Sequence, residues 1–192
     1  MAFGDREKWD RIHRDAAADE PCAARVLAEF RHLLPRRGTA LDLACGRGGN
    51  ALLLARAGLE THAWDISAEA LQRLSEHASR MGLVIHARQR DAAVEPPEAD
   101  SFDVIVISRF LERTIAPALA AALKARGLLY YQTFTKDKDP AVGPGNPAYL
   151  LERGELLSLF AELRPVVYRE EGRIGDLDKG FRNETMLIAR KE

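Results

Sequence analysis

Leu41-Asp42-Leu43-Ala44-Cys45-Gly46-Arg47-Gly48-Gly49-Asn50 is the stretch on which the reading of this chain turns. Ala40, Leu41 and Leu43 are spaced as in a buried strand, and residues 50–57 read as a helix that Gly58 ends. Between them lies a glycine-rich turn. Glycines let backbone come close to a ligand, and the free N–H groups at a helix start favour polar oxygens. A strand that delivers such a turn to a helix opens a ligand crevice.

Outward from this turn, strands and helices alternate. Residues 59–65 form a second strand, and Ser67 is a candidate N-cap for a helix with Leu71, Leu74, Ala78 and Met81 on one face, closed by Gly82. Residues 83–90 read as a third strand, followed by a proline-containing loop through Asp100. Phe102-Asp103-Val104-Ile105-Val106-Ile107 is a fourth. Ile115, Ala118, Leu119, Ala122 and Leu123 mark a helix, and Gly127 leads into a strand over residues 128–134. A long loop over residues 135–147, a helix over 152–160 and two strands over 165–170 and 184–190 complete the chain. Upstream, Trp9, Ile12 and Ala16 fit a short first helix. Asp19 and Glu20 before Pro21 signal a second, with Val26, Leu27, Phe30, Leu33 and Leu34 on its apolar face. Such alternation predicts a parallel sheet covered on both faces. The last two strands have no helix between them and should pair antiparallel.

Two further acids end strands. Asp65 closes the second, where a carboxylate can accept both ribose hydroxyls of a nucleoside. Asp91 follows the third, where it can accept from an adenine amino group. Gly46-x-Gly48-x-x-Ala51 also fits the loose dinucleotide fingerprint, so a nicotinamide enzyme is a rival reading. Against it, Asp42 just before the turn would repel a pyrophosphate but can help place an amino-acid-like tail. The C-terminal antiparallel pair is also foreign to a plain dinucleotide fold. Asp42 reads equally well as an acceptor that organises the loop.

At these residues the chain resembles the class I S-adenosylmethionine-dependent methyltransferases. Asp42 to Gly48 looks like their signature turn, Trp64-Asp65-Ile66-Ser67 like their ribose-binding acid, and Phe102-Asp103-Val104-Ile105 like their fourth-strand motif. Lys8-Trp9-Asp10, Gly49-Asn50, Ala63-Trp64-Asp65 and Met186-Leu187-Ile188-Ala189-Arg190-Lys191 carry a narrower likeness to the tellurite-resistance and related small-molecule methyltransferases. The expected fold is an α/β, Rossmann-like seven-stranded sheet in the order 3-2-1-4-5-7-6, with the last strand antiparallel and helices on both faces. One domain is expected over residues 1–192, with a helical cap over 1–37 and the core over 38–192.

The resemblance implies S-adenosylmethionine as cofactor, S-adenosylhomocysteine as product and a small-molecule methyl acceptor, such as a thiol or a metalloid oxyanion. Gly46 and Gly48 would line the methionine part, Asp65 take the ribose, Ile66 pack on adenine, and Asp91 and Ala92 meet its edge. Ser108 and Arg109 would flank the sulfonium and the acceptor. Asp42, Ala44 and Asn50 complete the implied cofactor set. Arg109 is the candidate catalytic residue, and Trp9, Tyr131, Tyr149 and Arg182 are candidates for the acceptor wall. A lid formed by the helix around Trp9 and the loop over residues 135–149 would exclude water. The alternative is that both segments only cover core edges.

Bulk properties narrow the alternatives. The net charge is -1 at pH 7, without the basic excess common in nucleic-acid binders, so a nucleic-acid or protein methyltransferase is disfavoured and no nucleic-acid partner is expected. A non-catalytic cofactor-binding protein of the same fold is another alternative. Cys22 and Cys45 form no paired motif, which suits a reducing cytoplasm, and Cys45 reads as a small buried thiol filling the turn. No metal site is expected from the five histidines, and no apolar run suggests a membrane span. A monomer or homodimer is expected. Glu112, His13 and Tyr131 are the candidates for a general base, should the acceptor need one.

Overall fold

The computed structural model describes residues 3–15 and 21–192. Its centre is β1 (Thr39–Leu43), paired in parallel with β2 (Glu60–Asp65) on one side and β4 (Phe102–Ser108) on the other. The sheet continues through β3 (Ile85–Gln89), β5 (Leu123–Phe134), β6 (Arg164–Arg169) and β7 (Glu184–Arg190). The order is β3-β2-β1-β4-β5-β7-β6, and β7 runs antiparallel to both β5 and β6, as expected.

Alternation along the strands sorts the core onto two faces. Leu41, Leu43, Ile105, Ile107, Leu129 and Leu187 pack on one face beneath α5 (Ala116–Ala122) and α6 (Glu155–Leu159). Ala40, Val104, Val106, Tyr130, Met186 and Ile188 face the other way, against Val26 and Leu27 of α2 (Arg25–Glu29) and Leu54 of α3 (Gly49–Arg56). Over β2, the helix α4 (Ala68–Arg80) lays Leu71, Leu74 and Ala78 on Ala63 and Ala51. Ser67 caps it, its hydroxyl accepting from the Ala70 amide at 3.2 Å. The helix α1 (Phe3–Asp15) precedes the core.

Three elements differ from their sequence patterns. The helix expected after Pro21 shrinks to α2 and a 3-10 turn, Arg31–Leu33, and its expected start at Asp19 and Glu20 lies outside the described residues, as does Ala16. Side chains from distant elements cause this. The Ala24 amide donates to Asn50 Oδ1 at 2.8 Å and the Val26 amide to Gln132 Oε1 at 2.7 Å. These bonds hold residues 21–24 as an extended strap. The fifth strand begins at Leu123, not at residue 128, and carries a kink at Arg126, whose φ is 67°. The sixth helix begins at Glu155, after Gly154 with φ 70°, and the Glu155 carboxylate reaches back to the Glu152 amide at 2.7 Å. As expected, β3 is joined to β4 by a loop without a helix, in which Pro96 and Pro97 lie.

The first residues of α3 are shaped by two constraints. Its N-cap is Gly48, which has no side chain to offer, so the strand supplies the cap. The Ala51 amide donates to Asp42 Oδ2 at 3.0 Å, and Asn50 Nδ2 donates to Asp42 Oδ1 at 3.1 Å. Gly49 lies under the strap: a Cβ there would sit 2.2 Å from the Cys22 carbonyl oxygen and 2.6 Å from its carbon. Backbone cannot swing aside as a side chain can. Gly49→Ala should therefore lose about 1–3 kcal/mol in urea unfolding despite alanine's better helix propensity. Unchanged stability would mean that the strap does not cross there.

Asp42 is fully buried. Burial raises its pKa to about 7, against the two hydrogen bonds that favour the charged form. The folded value lies above the unfolded one, so between about pH 4 and pH 7 the unfolded chain binds fewer protons at this position. The contribution of Asp42 is therefore fully present below about pH 4 and declines as pH rises to about 7. Asp42→Asn should be less stable near pH 4, because its NH2 cannot turn away from the second donor, and it should lose this pH dependence, because an amide does not titrate. The gap to wild type should narrow between those pH values at about 1.4 kcal/mol per pH unit. A pH-independent gap in denaturant titrations would refute the assignment.

Candidate functional site

The turn after β1 is built from left-handed backbone: Ala44 has φ 53°, Gly46 52° and Gly48 82°. The Cys45 amide donates to the Trp64 carbonyl at 3.0 Å and the Gly48 amide to the Cys45 carbonyl at 2.9 Å, which fixes the turn to β2. At Gly46 a Cβ would come within 3.3 Å of His13 Cε1, and at Gly48 within 2.2 Å of Leu74 Cδ1. Glycine is thus required by conformation and by crowding together.

Asp65 ends β2 beside this turn. Its Oδ2 accepts from the Gly46 amide at 2.8 Å and its Oδ1 from the Ser67 amide at 2.9 Å. Burial raises its pKa; the two amides and His13 oppose that. Burial likewise lowers the pKa of His13, with Asp65 pulling it up. His13 arrives on α1, which is fastened to α4. The Ser67 hydroxyl donates to Asp10 at 2.6 Å, Arg14 pairs with Glu69 at 2.9 Å, and Arg73 donates to the Arg14 carbonyl at 2.7 Å. The Ser67 bond also holds the Asp10 carboxyl below its ordinary range.

One cavity of about 1330 Å³ lies over the carboxyl ends of β1, β2, β4 and β5. Ala44, Gly46, Gly48, Asn50, Asp65, Ile66, Ala92 and Ser108 line it, all of them named from the sequence. Trp9, Arg109 and Tyr149 line it too, with Ile12 and His13 from α1 and Pro144 from the long loop. Both expected lid segments thus reach the same space. The volume exceeds what one small ligand fills and accommodates two side by side.

Four expected residues stand elsewhere or are otherwise engaged. Asp42 is buried beneath the turn and off the cavity wall, organising α3 as described. Asp91 is also off the wall; its carboxylate accepts from the Ala93 amide at 3.0 Å, while its neighbours Arg90 and Ala92 face the cavity. Tyr131 is buried against Phe160, and its hydroxyl donates to the Phe110 carbonyl at 2.9 Å. Side chains alternate along β5, so Tyr131 points into the core beneath α5 and α6. Arg182 lines the cavity, but its guanidinium donates to the carbonyls of Glu171, Gly172, Asp176 and Lys179, which folds the link between β6 and β7.

Sequence reasoning overlooked a polar chain on the far wall. Gln132 Nε2 donates to Glu184 Oε2, and Arg109 Nε donates to Glu184 Oε1 at 3.0 Å. Arg109 itself has φ 54°, and its amide donates to the Gln132 carbonyl at 2.8 Å. The signal was present: Gln132 and Glu184 are polar residues in or at the start of apolar strands, and buried polar groups need partners. Cys45 lines the cavity as an un-ionised thiol, since burial drives its pKa well above the ordinary value. Among the described residues no helix is long and apolar enough to cross a membrane.

Known proteins agree with this architecture. Residues 40–127 match a family model described as a methyltransferase domain. The ubiquinone biosynthesis O-methyltransferase of Methylococcus capsulatus is 30% identical over 103 residues, covering 50% of this chain and 44% of that protein. Its namesake in Actinobacillus pleuropneumoniae is 32% identical over 106 residues, covering 50% and 45%. The chain thus spans less than half the length of these curated relatives. Among solved structures, TehB from Haemophilus influenzae superposes with a TM-score of 0.72 at 18% identity, over 96% of this chain and 67% of that one. A SAM-dependent methyltransferase from Aquifex aeolicus superposes with a TM-score of 0.67 at 14% identity, over the whole of both chains. At such identities these likenesses speak for the fold. Residues 40–127 thus match a methyltransferase domain, and the strand order is that of the class I S-adenosylmethionine-dependent methyltransferase fold.

Proposed function

We propose that this chain binds S-adenosylmethionine and transfers its methyl group to a small-molecule acceptor. The observation that carries the reading is one continuous cavity, which joins the glycine turn and Asp65 to a second half walled by Arg109, Phe134 and Tyr149. The residues present suit the cofactor. Gly46 and Gly48 leave backbone open to its methionine part, and Asp65 offers remaining lone pairs to two ribose hydroxyls. Ile66 and Ala92 supply apolar surface for a base. Asn50 and Ser108, joined at 3.1 Å, stand between the two halves.

When bound, the cofactor supplies an electrophilic methyl group on sulfur. The task of the chain is then to hold the acceptor in line and to exclude water. Tyr131 is unsuited to take a proton, because burial raises its pKa and its hydroxyl is bound to a carbonyl. The Glu112 carboxylate already accepts from the amide and hydroxyl of Thr114. His13 stands beside Gly46 and Asp65 in the half that would hold the cofactor, so together these placements favour an acceptor that is nucleophilic without a strong base, such as a thiol or another soft anion. A screen of thiol, oxyanion and aromatic acceptors by S-adenosylhomocysteine release identifies the acceptor.

Asp65→Ala removes the ribose acceptors. Calorimetry with S-adenosylhomocysteine should find affinity about ten- to a hundred-fold weaker, with circular dichroism unchanged. Equal affinity in a folded variant would place the ribose elsewhere.

The α1 helix and the loop over residues 135–149 should act together as the lid. In hydrogen exchange both should gain protection when S-adenosylhomocysteine binds. Asp10→Ala, which unlatches α1 from Ser67, should speed exchange in α1 and hasten release of the product. If neither segment responds to the ligand, they only cover core edges.

A further inference from the structure

Of the cavity's charged lining among the described residues, six are Lys or Arg (Lys8, Arg25, Arg47, Arg90, Arg109, Arg182) and three are acids (Asp65, Glu112, Glu184). Several of the cations serve the fold. Arg182 binds four carbonyls, and Arg90 binds those of Glu95 and Pro96. Arg25 is paired with Glu29 and the Gly180 carbonyl. Arg109 is different. Its Nε is held by Glu184 at 3.0 Å and its guanidinium carbon lies 5.8 Å from the Phe134 ring centroid. Its two terminal nitrogens form no hydrogen bond among the described residues. The side chain is 68% exposed, against 10% for Glu184 beneath it.

This is a presented fork. One edge of the guanidinium is tied down and one face rests by an aromatic ring. The remaining nitrogens, two parallel donors, are left toward the cavity. Such a fork matches a carboxylate in bidentate geometry. The tie is itself fixed. Glu184 accepts from Gln132, and Gln132 accepts from the Val26 amide at 2.7 Å, so the strap over the turn and the far wall form one hydrogen-bonded line. The left-handed backbone of Arg109, φ 54°, is the sort of strained conformation that surrounding structure maintains at ligand sites.

We infer that the acceptor is a small organic carboxylate, docked through that group on Arg109, with Glu184 and Gln132 as positioning residues. The carboxylate is the handle and not the methylated atom, which lies on the rest of the molecule, toward Ser108. The Phe110, Phe134 and Tyr149 rings that line the same half suit a flat, aromatic body. What enters the cavity as acceptor rests on the methyltransferase reading; the anion site stands on its own geometry.

The test is a titration of benzoate and of benzamide, its neutral isostere, into the protein with and without saturating S-adenosylhomocysteine. It is followed by the Arg109 Nε–Hε resonance and by calorimetry. Benzoate should bind at least about ten-fold more tightly than benzamide. Arg109→Met should abolish that preference and Arg109→Lys should retain only part of it, both with unchanged affinity for S-adenosylhomocysteine. Glu184→Gln should broaden the Arg109 resonance and weaken benzoate several-fold with the cofactor product still bound normally; a merely structural role would weaken both ligands together. Equal binding of benzoate and benzamide, or a preference that survives Arg109→Met, overturns the inference. If benzoate docks on Arg109 while S-adenosylhomocysteine fails to bind in calorimetry, the anion site holds and the cofactor reading falls. If the product binds and benzoate shows no preference, the reverse is true.

Discussion

The carboxylate of Asp42, buried in the central strand, is the interaction on which the crevice depends. It caps α3 in place of the side chain that Gly48 lacks and holds Asn50 by its amide nitrogen. The glycine that the turn requires and the cap that the helix requires cannot come from one residue, so the strand provides the second. A charge at a helix N-terminus is favoured by the dipole and by free N–H groups. Burial opposes it, which is why the acid sits with its pKa near neutrality. Remove it and both the turn and the strap lose their reference point, because Asn50 is the residue that joins them.

From Asn50 the organisation passes outward through amide side chains. Asn50 donates to Asp42 and Ser108 and accepts from Ala24. Gln132 accepts from Val26 and donates to Glu184. Each has two hydrogen-bonding ends, so each can pin the strap on one side and a cavity wall on the other. That double use explains why the segment before β1 is extended where its composition suggests a helix. Two strong acceptors take the Ala24 and Val26 amides, which a regular helix begun at Pro21 would have bonded to its own carbonyls.

The same facts mark where the sequence is legible. The parallel strands and β7 follow from long apolar runs and short glycine turns, and Ser67 is readable as a cap from its position alone. Asp65 is readable because the strand before it and the helix after it fix its place. The strap is not readable, since its conformation is set by Asn50 and Gln132, 26 and 106 positions away. Nor is the orientation of Asp91 and Tyr131: a shift of one residue on a strand or turn exchanges cavity for core. Arg182 stands on the cavity wall as expected, but its partners are not readable. Arginine reads as a ligand group from its charge, yet five donors can be used up by folding a polar loop.

The two halves of the cavity are therefore held by different means, and that difference bears on what each can recognise. The half beside Asp65 is backbone: left-handed residues, amides and the ends of β1 and β2, with α1 laid across by side-chain bonds to α4. Backbone geometry changes little with substitution elsewhere, so this half suits a ligand that does not vary. The half beside Arg109 is side chains on β5, β7 and their loops, joined through Gln132 and Glu184. Single substitutions there alter charge or shape without disturbing the sheet, because the strands pair through their backbones. On the proposed methyltransferase reading, the acceptor is the ligand whose identity can diverge among relatives of equal fold, and the domain match over residues 40–127 bears mainly on the other half.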